Sequence, residues 1–157
     1  MIVITFPEKN KRRNFASMFS KTFGYALTAV THIAAVGEEG KKVGLQELSE
    51  RLGMPRPFLG KIMQDLVRHG IIDSSKGPNG GFYVNESTLD RSIIDILMIT
   101  DGSLVFRHCA LGLGRCGGSQ TCLLHHDFAA CRDTLLKAIS SKTIRQLAKE
   151  IPGETGR

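Results

Sequence analysis

Apolar residues at three- and four-residue spacings divide the chain into helical segments. From Phe19 to Val36, the residues Phe23, Ala26, Leu27, Val30, Ile33 and Ala34 keep helical spacing, and Gly37 and Gly40 close the segment. Leu45, Leu48 and Leu52 recur at i, i+3 and i+7, which predicts a short helix stopped by Gly53. A second helix follows at once: Leu59, Ile62, Met63 and Leu66 give it a buried face, Pro57 suits its first turn, and Gly70 ends it. The period then changes. Ile71-Ile72, the polar run from Ser74 to Gly81 and Phe82-Tyr83-Val84 predict a short β-hairpin. Ser87 to Ile99 holds Leu89, Ile93, Ile94, Ile96, Leu97 and Met98, too many apolar positions for one buried side, so this helix is expected to be covered on both and to end at Asp101-Gly102. The last long helix is expected from about Leu124 to Ser140, with Phe128, Cys131, Leu135 and Ile139 on one stripe, followed by a short helical turn from Thr143 to Ala148. The expected fold is mainly α with a small β-wing.

Two short helices in quick succession followed by a hairpin, over Val43 to Val84, read as a winged helix-turn-helix. Arg56, Lys61, Gln64 and Arg68 lie off the apolar stripe of the second helix, and long basic or amide side chains there suit base edges and phosphates in a major groove. The hairpin tip carries Lys76 and Asn79 among Gly77, Gly80 and Gly81. These glycines either only make the turn or let the tip approach a phosphate backbone or minor groove, and after a helix-turn-helix the second use is expected. The first helix should pack behind this unit. His32, among apolar neighbours in that helix, is expected to be structural rather than a ligand. The long striped helix near the C-terminus fits a contact between two copies, since two-fold DNA sites favour dimers.

The charge distribution agrees with a nucleic-acid partner. The formal net charge is +6 and the pI about 9.4. Residues 1–17 carry four basic against one acidic side chain, residues 41–84 seven against four, and the rest ten against ten. The excess therefore lies in an N-terminal arm and in the winged unit. With 157 residues the chain suffices for one domain with an appendage. No apolar run reaches the roughly 18 residues of a membrane helix, and the apolar start at Met1 to Phe6 has its charges after it, not before, so a cytoplasmic location is expected. The expected organisation is a basic arm over 1–17, a DNA-binding unit over 18–86, a ligand-binding loop with dimerisation helices over 87–148, and a tail over 149–157.

The loop from His108 to His126 has a different chemistry. Cys109, Cys116 and Cys122 fall within fourteen residues that also hold Gly112, Gly114, Gly117 and Gly118. Thiolates are soft ligands for iron–sulfur clusters, zinc or copper(I), and nearby glycines let backbone N–H groups approach cluster sulfurs. The gaps of six and five residues are wider than the two to four usual for structural zinc, which favours a bulkier cluster. Thiol switching is the other reading, with Arg115 and His108 able to lower a neighbouring thiol's pKa. His125, three residues after Cys122, is a candidate fourth ligand, with His126 and His108 as alternatives. Cys131, on the apolar stripe, is expected to pack. No nucleotide loop or catalytic acid–base pair accompanies the cysteines, so neither an enzyme nor an iron–sulfur electron carrier explains residues 43–84.

With Tyr25-Ala26-Leu27 in the first helix, the helix-turn-helix, Lys76-Gly77-Pro78-Asn79-Gly80-Gly81-Phe82 at the wing and the three-cysteine loop, residues 18 to about 148 resemble the winged-helix bacterial regulators that include IscR and NsrR. The resemblance implies a homodimeric transcription regulator that binds double-stranded DNA under control of an iron–sulfur cluster held by Cys109, Cys116 and Cys122. A histidine at the place of His125 goes with a two-iron two-sulfur cluster in the IscR branch. The Asp that the NsrR branch contributes just before Tyr-Ala-Leu is Gly24 here, so a four-iron cluster would need another fourth ligand. The first cysteine gap is one residue longer than in the IscR pattern. Gly60 stands where many relatives carry Glu after the aromatic-Leu pair, so their operator preference does not carry over.

Overall fold

The computed structural model describes residues 19–37, 41–106 and 125–150. Helix α1, Lys21–Gly37, lies at the centre. It buries Phe23, Ala26, Ala29, Val30, Thr31, Ile33 and Ala34, more than a single stripe. Three of these are alanines, which let neighbouring helices approach the backbone closely, and Thr31 satisfies its hydroxyl by donating to the Leu27 carbonyl at 2.8 Å. Against α1 pack α2, Leu45–Leu52, and α3, Arg56–Arg68, on one side, and α5, Ile93–Thr100, and α7, Ile144–Glu150, on another. The helix expected to pack behind the winged unit does so, and among the described residues it also carries α5 and α7.

The turn between α2 and α3 follows its sequence. Gly53 takes φ +61° and sends its N–H to the Glu50 carbonyl, while Pro57 sits in the first turn of α3. Leu59, Ile62, Met63 and Leu66 are buried, as their spacing requires. At the far end His69 caps α3 and Gly70 takes φ +67°.

The hairpin is displaced from its expected register. Strand β1 is Asp73–Ser75 and β2 is Gly81–Tyr83, antiparallel, with Ser74 opposite Phe82. Ile71 and Ile72, expected to open the first strand, are fully buried in the core instead, because the turn after α3 draws both inward. Val43 adds a bridge on the other side of β2, exchanging N–H and carbonyl with Phe82 at 2.9 Å each way.

The helix expected over Ser87 to Ile99 is two. Helix α4, Glu86–Leu89, is capped by the Asn85 side chain, and α5 by Ser92, whose hydroxyl accepts from the Ile94 N–H. Two N-caps seven positions apart each start a helix, and α4 ends between them at Asp90. The expected double cover is also partial: Ile93, Ile96 and Leu97 are buried, whereas Met98 remains 45% exposed. A short 3-10 helix, Ser103–Phe106, follows. Helix α6, His125–Ser140, leans on α5 and has no buried residue. Of its apolar stripe, Ile139 packs on the core, while Phe128 and Leu135 are half-buried outside it. Cys131, expected to pack, is exposed, because the cover that reaches Ile139 does not extend to it among the described residues.

Candidate nucleic-acid interface

On α3, Lys61, Gln64 and Arg68 are exposed and fall within about 60° of one another around the helix axis at 3.6 residues per turn. They form one strip opposite the buried face. Arg56 is exposed as well, but as the first residue of α3 it lies about 140° from Lys61 on that wheel, on the rim beside α2. Arg68 is partly engaged: its guanidinium donates to the Asp65 carboxylate at 3.1 Å, with both groups substantially exposed. An exposed pair of this kind is worth well under about 1 kcal/mol and yields readily to a phosphate. Gly60 faces α2. A Cβ there would meet the Leu45 side chain at 3.4 Å, about ordinary van der Waals contact.

The wing presents Lys76 and Asn79, both exposed at the tip. Two of its glycines are accounted for by the fold. A Cβ on Gly80 would run into the Ser75 carbonyl oxygen, and one on Gly81 would lie 2.9 Å from the Val43 carbonyl oxygen, where β2 meets the bridge. Gly77 takes φ +109° to turn the chain. Gly80 and Gly81 are thus required by a tight turn and a close strand pairing, whatever the tip approaches. Lys42 extends the basic surface at the wing's base, its Nζ 5.3 Å from the centre of the Tyr83 ring.

Behind α2, His32 sits in α1 with its side chain 9% exposed and Nε2 3.8 Å from Glu47 Oε1. That distance is too long for a hydrogen bond, and Nε2 is buried without one among the described residues. Burial, chiefly, and the nearby Arg51 charge lower its pKa below 6.5, with Glu47 opposing them. These effects favour the neutral form of His32 at pH 7.

Of the four candidate cluster ligands, Cys109, Cys116 and Cys122 lie outside the described residues, as do His108 and the basic arm over 1–17. His125 is the first residue of α6, half-buried, with its ring edge-on to that of His126 at 5.6 Å between centres. Among the described residues, no three His, Cys, Asp or Glu side chains converge as a metal site.

Three residues passed over in the sequence stand in or beside this surface. Phe58 is 45% exposed on α3. Its signal was available, since it falls off the stripe of Leu59, Ile62, Met63 and Leu66. Lys42 had none, because its neighbour Tyr83 is far along the chain. Arg91 donates to the carbonyls of His69 and Gly70 at the end of α3, both at 3.1 Å, a contact that no local pattern announces.

A recognition helix with a basic and amide strip, seated on a three-helix core beside a β-wing, defines a winged helix-turn-helix DNA-binding protein. Residues 19–150 match the Rrf2 family, described as iron-dependent transcriptional regulators, and the chain belongs to that family. It is 28% identical over 135 residues to the HTH-type transcriptional regulator IscR of Escherichia coli, covering 85% of this chain and 82% of that one. In fold it is similar to CymR, the global cysteine regulator of B. subtilis, with a TM-score of 0.70 at 18% identity, covering 85% of this chain and 98% of the other. It is likewise similar to T. potens IscR, with a TM-score of 0.67 at 18% identity, covering 90% and 93%. These relatives are transcription regulators, not enzymes. No helix among the described residues is long and apolar enough to cross a membrane.

Proposed function

We propose that this protein is a cytoplasmic homodimeric regulator that binds specific double-stranded DNA and is controlled by an iron–sulfur cluster. The observation that carries the DNA-binding half is the strip of Lys61, Gln64 and Arg68 on α3 with Lys76 and Asn79 on the wing. Lys61, Arg68 and Lys76 position the protein on phosphates, Gln64 offers a donor and acceptor to adenine, and Arg56 works from the rim.

For the cluster, the donor chemistry fits. Three cysteine thiolates, Cys109, Cys116 and Cys122, and one imidazole, His125, form a set suited to a two-iron two-sulfur centre, and α6 begins at His125, three residues after Cys122. The family's iron dependence and the 28% identity to IscR support the same reading. A bound cluster supplies sensitivity to iron supply, oxidants or nitric oxide. A four-iron cluster keeps the three thiolates and changes the fourth ligand. On the protein's side, α6 is anchored at its far end by the Ser92 hydroxyl, which donates to the Ser140 carbonyl at 2.9 Å. The placement of α6 thus bears on the spacing of two recognition helices in a dimer.

Anaerobic purification with iron, sulfide and zinc analysis tests this. Iron and sulfide near two per chain, lost in Cys116→Ala, are expected. Cys116→Ala with a full cluster would refute the ligand assignment, and free thiols without metal would point to cysteine-based sensing by a cluster-free regulator.

A further inference from the structure

Large apolar side chains are seldom left in water at a surface built of charges. Among the described residues Phe58 and Met98 are the two large hydrophobic residues so exposed, each at 45%. Phe58 is the third residue of α3, in the N-terminal turn that recognition helices direct at base edges. It borders the strip headed by Lys61, about 60° away on the helical wheel. Its ring is also held. Tyr25, from the central helix α1, meets it edge to face, with ring centres 6.4 Å apart and an interplanar angle of 86°. An exposed ring braced by a second ring from the scaffold is presented at a fixed place, and Leu59 beside it already fills the core position.

Phenylalanine offers no hydrogen bond, so it can discriminate among base edges only through apolar contact. The major groove displays one apolar group, the C5-methyl of thymine. Resting on the DNA-binding reading above, we infer that Phe58 is a specificity-determining residue that packs against a thymine methyl in each half-site, with Tyr25 as the residue that positions it.

The test uses the full chain, purified anaerobically. A random duplex library is enriched for bound sites, and each thymine of the enriched site is replaced in turn by deoxyuridine, which lacks only the methyl. Affinity is read by fluorescence anisotropy. One thymine per half-site is expected to be sensitive, with a loss of about fourfold, the factor that one buried methyl supports. In Phe58→Ala that sensitivity disappears, whereas Phe58→Leu retains part of it. Tyr25→Ala, with Phe58 intact but unbraced, is expected to reduce it too. An enriched site whose thymines all tolerate uracil, or a uracil penalty unchanged in Phe58→Ala, overturns the contact while leaving the DNA-binding reading intact. A loss of dimer mass in Phe58→Ala would assign the ring to a protein interface and overturn it as well. A library with no enriched site would overturn both.

Discussion

At the scale of single residues, the strip on α3 and the buried His32 make different predictions. Lys61 is exposed on the face opposite the core, so Lys61→Ala would remove the proposed phosphate contact and leave packing untouched. Binding should weaken to a similar degree on all sequences, and the slope of log affinity against log salt should fall by about one per subunit. Anisotropy titrations at several salt concentrations measure this. A change confined to one base position would instead mark Lys61 as a base-reading residue. For His32, burial holds the folded pKa below the 6.5 of the free side chain. As the pH falls through 6.5 the unfolded chain takes up a proton before the folded one does, so stability declines; the decline ends once His32 protonates in the folded state too. Glu47, at 3.8 Å, limits the loss by offering the imidazolium a partner, and Arg51 adds to it. His32→Leu has no such proton to bind. Its urea midpoint should fall less than the wild type's between pH 7.5 and 5.5, and parallel curves would show that His32 contributes no pH dependence.

At the scale of elements, the helices of the winged unit were legible because their apolar spacing, glycines and prolines act within a few residues of one another. Leu59, Ile62, Met63 and Leu66 occupy the core positions that their spacing assigned. What escaped depended on pairing across the chain or on competing caps. Ile71 and Ile72 read as strand from composition, yet the core claims both. The break between α4 and α5 was written in Asn85 and Ser92, two cap residues, but the run of isoleucines and leucines around them outweighed it. That break has a structural use. Arg91 ties the end of α3 through the His69 and Gly70 carbonyls, bonds Asp95 in α5 at 3.0 Å, and accepts the Ile144 N–H of α7 on its own carbonyl at 3.0 Å. One junction therefore links the recognition helix to the helices beyond the wing. Arg91→Ala should destabilise the fold by about 1–2 kcal/mol, the modest range of a charged hydrogen-bond donor that is partly exposed. Hydrogen exchange should also quicken at Ile71, whose N–H bonds the Leu66 carbonyl at 2.9 Å. Unchanged exchange there would show that Gly70 and His69 hold the helix end without Arg91.

At the scale of the whole molecule, the sequence offers a candidate ligand set as chemistry, three thiols and an imidazole at short spacing, of which only His125 lies in the described residues. Which four groups meet is decided by how residues outside the described segments join α6, and spacing alone does not determine that. The proposed dimer rests on an observation in α6. Helix α6 is sixteen residues long without one buried side chain, and Phe128, Leu135 and Leu136 are half-buried apart from the core, so the described residues leave this apolar surface incompletely covered. In the proposed dimer a second copy completes it, and the two recognition helices then reach successive major grooves. Leu135→Glu puts a carboxylate into that contact at a position the core does not use. The variant should keep its helical circular dichroism, because every core residue remains. It should sediment as a monomer, since burying a charge without a partner opposes association. Affinity for a DNA with two half-sites should then drop at least about a hundredfold toward that for one half-site, because the second contact is no longer intramolecular. A folded Leu135→Glu protein that remains dimeric would place the interface elsewhere and remove α6 from the proposed path between the cluster and the DNA.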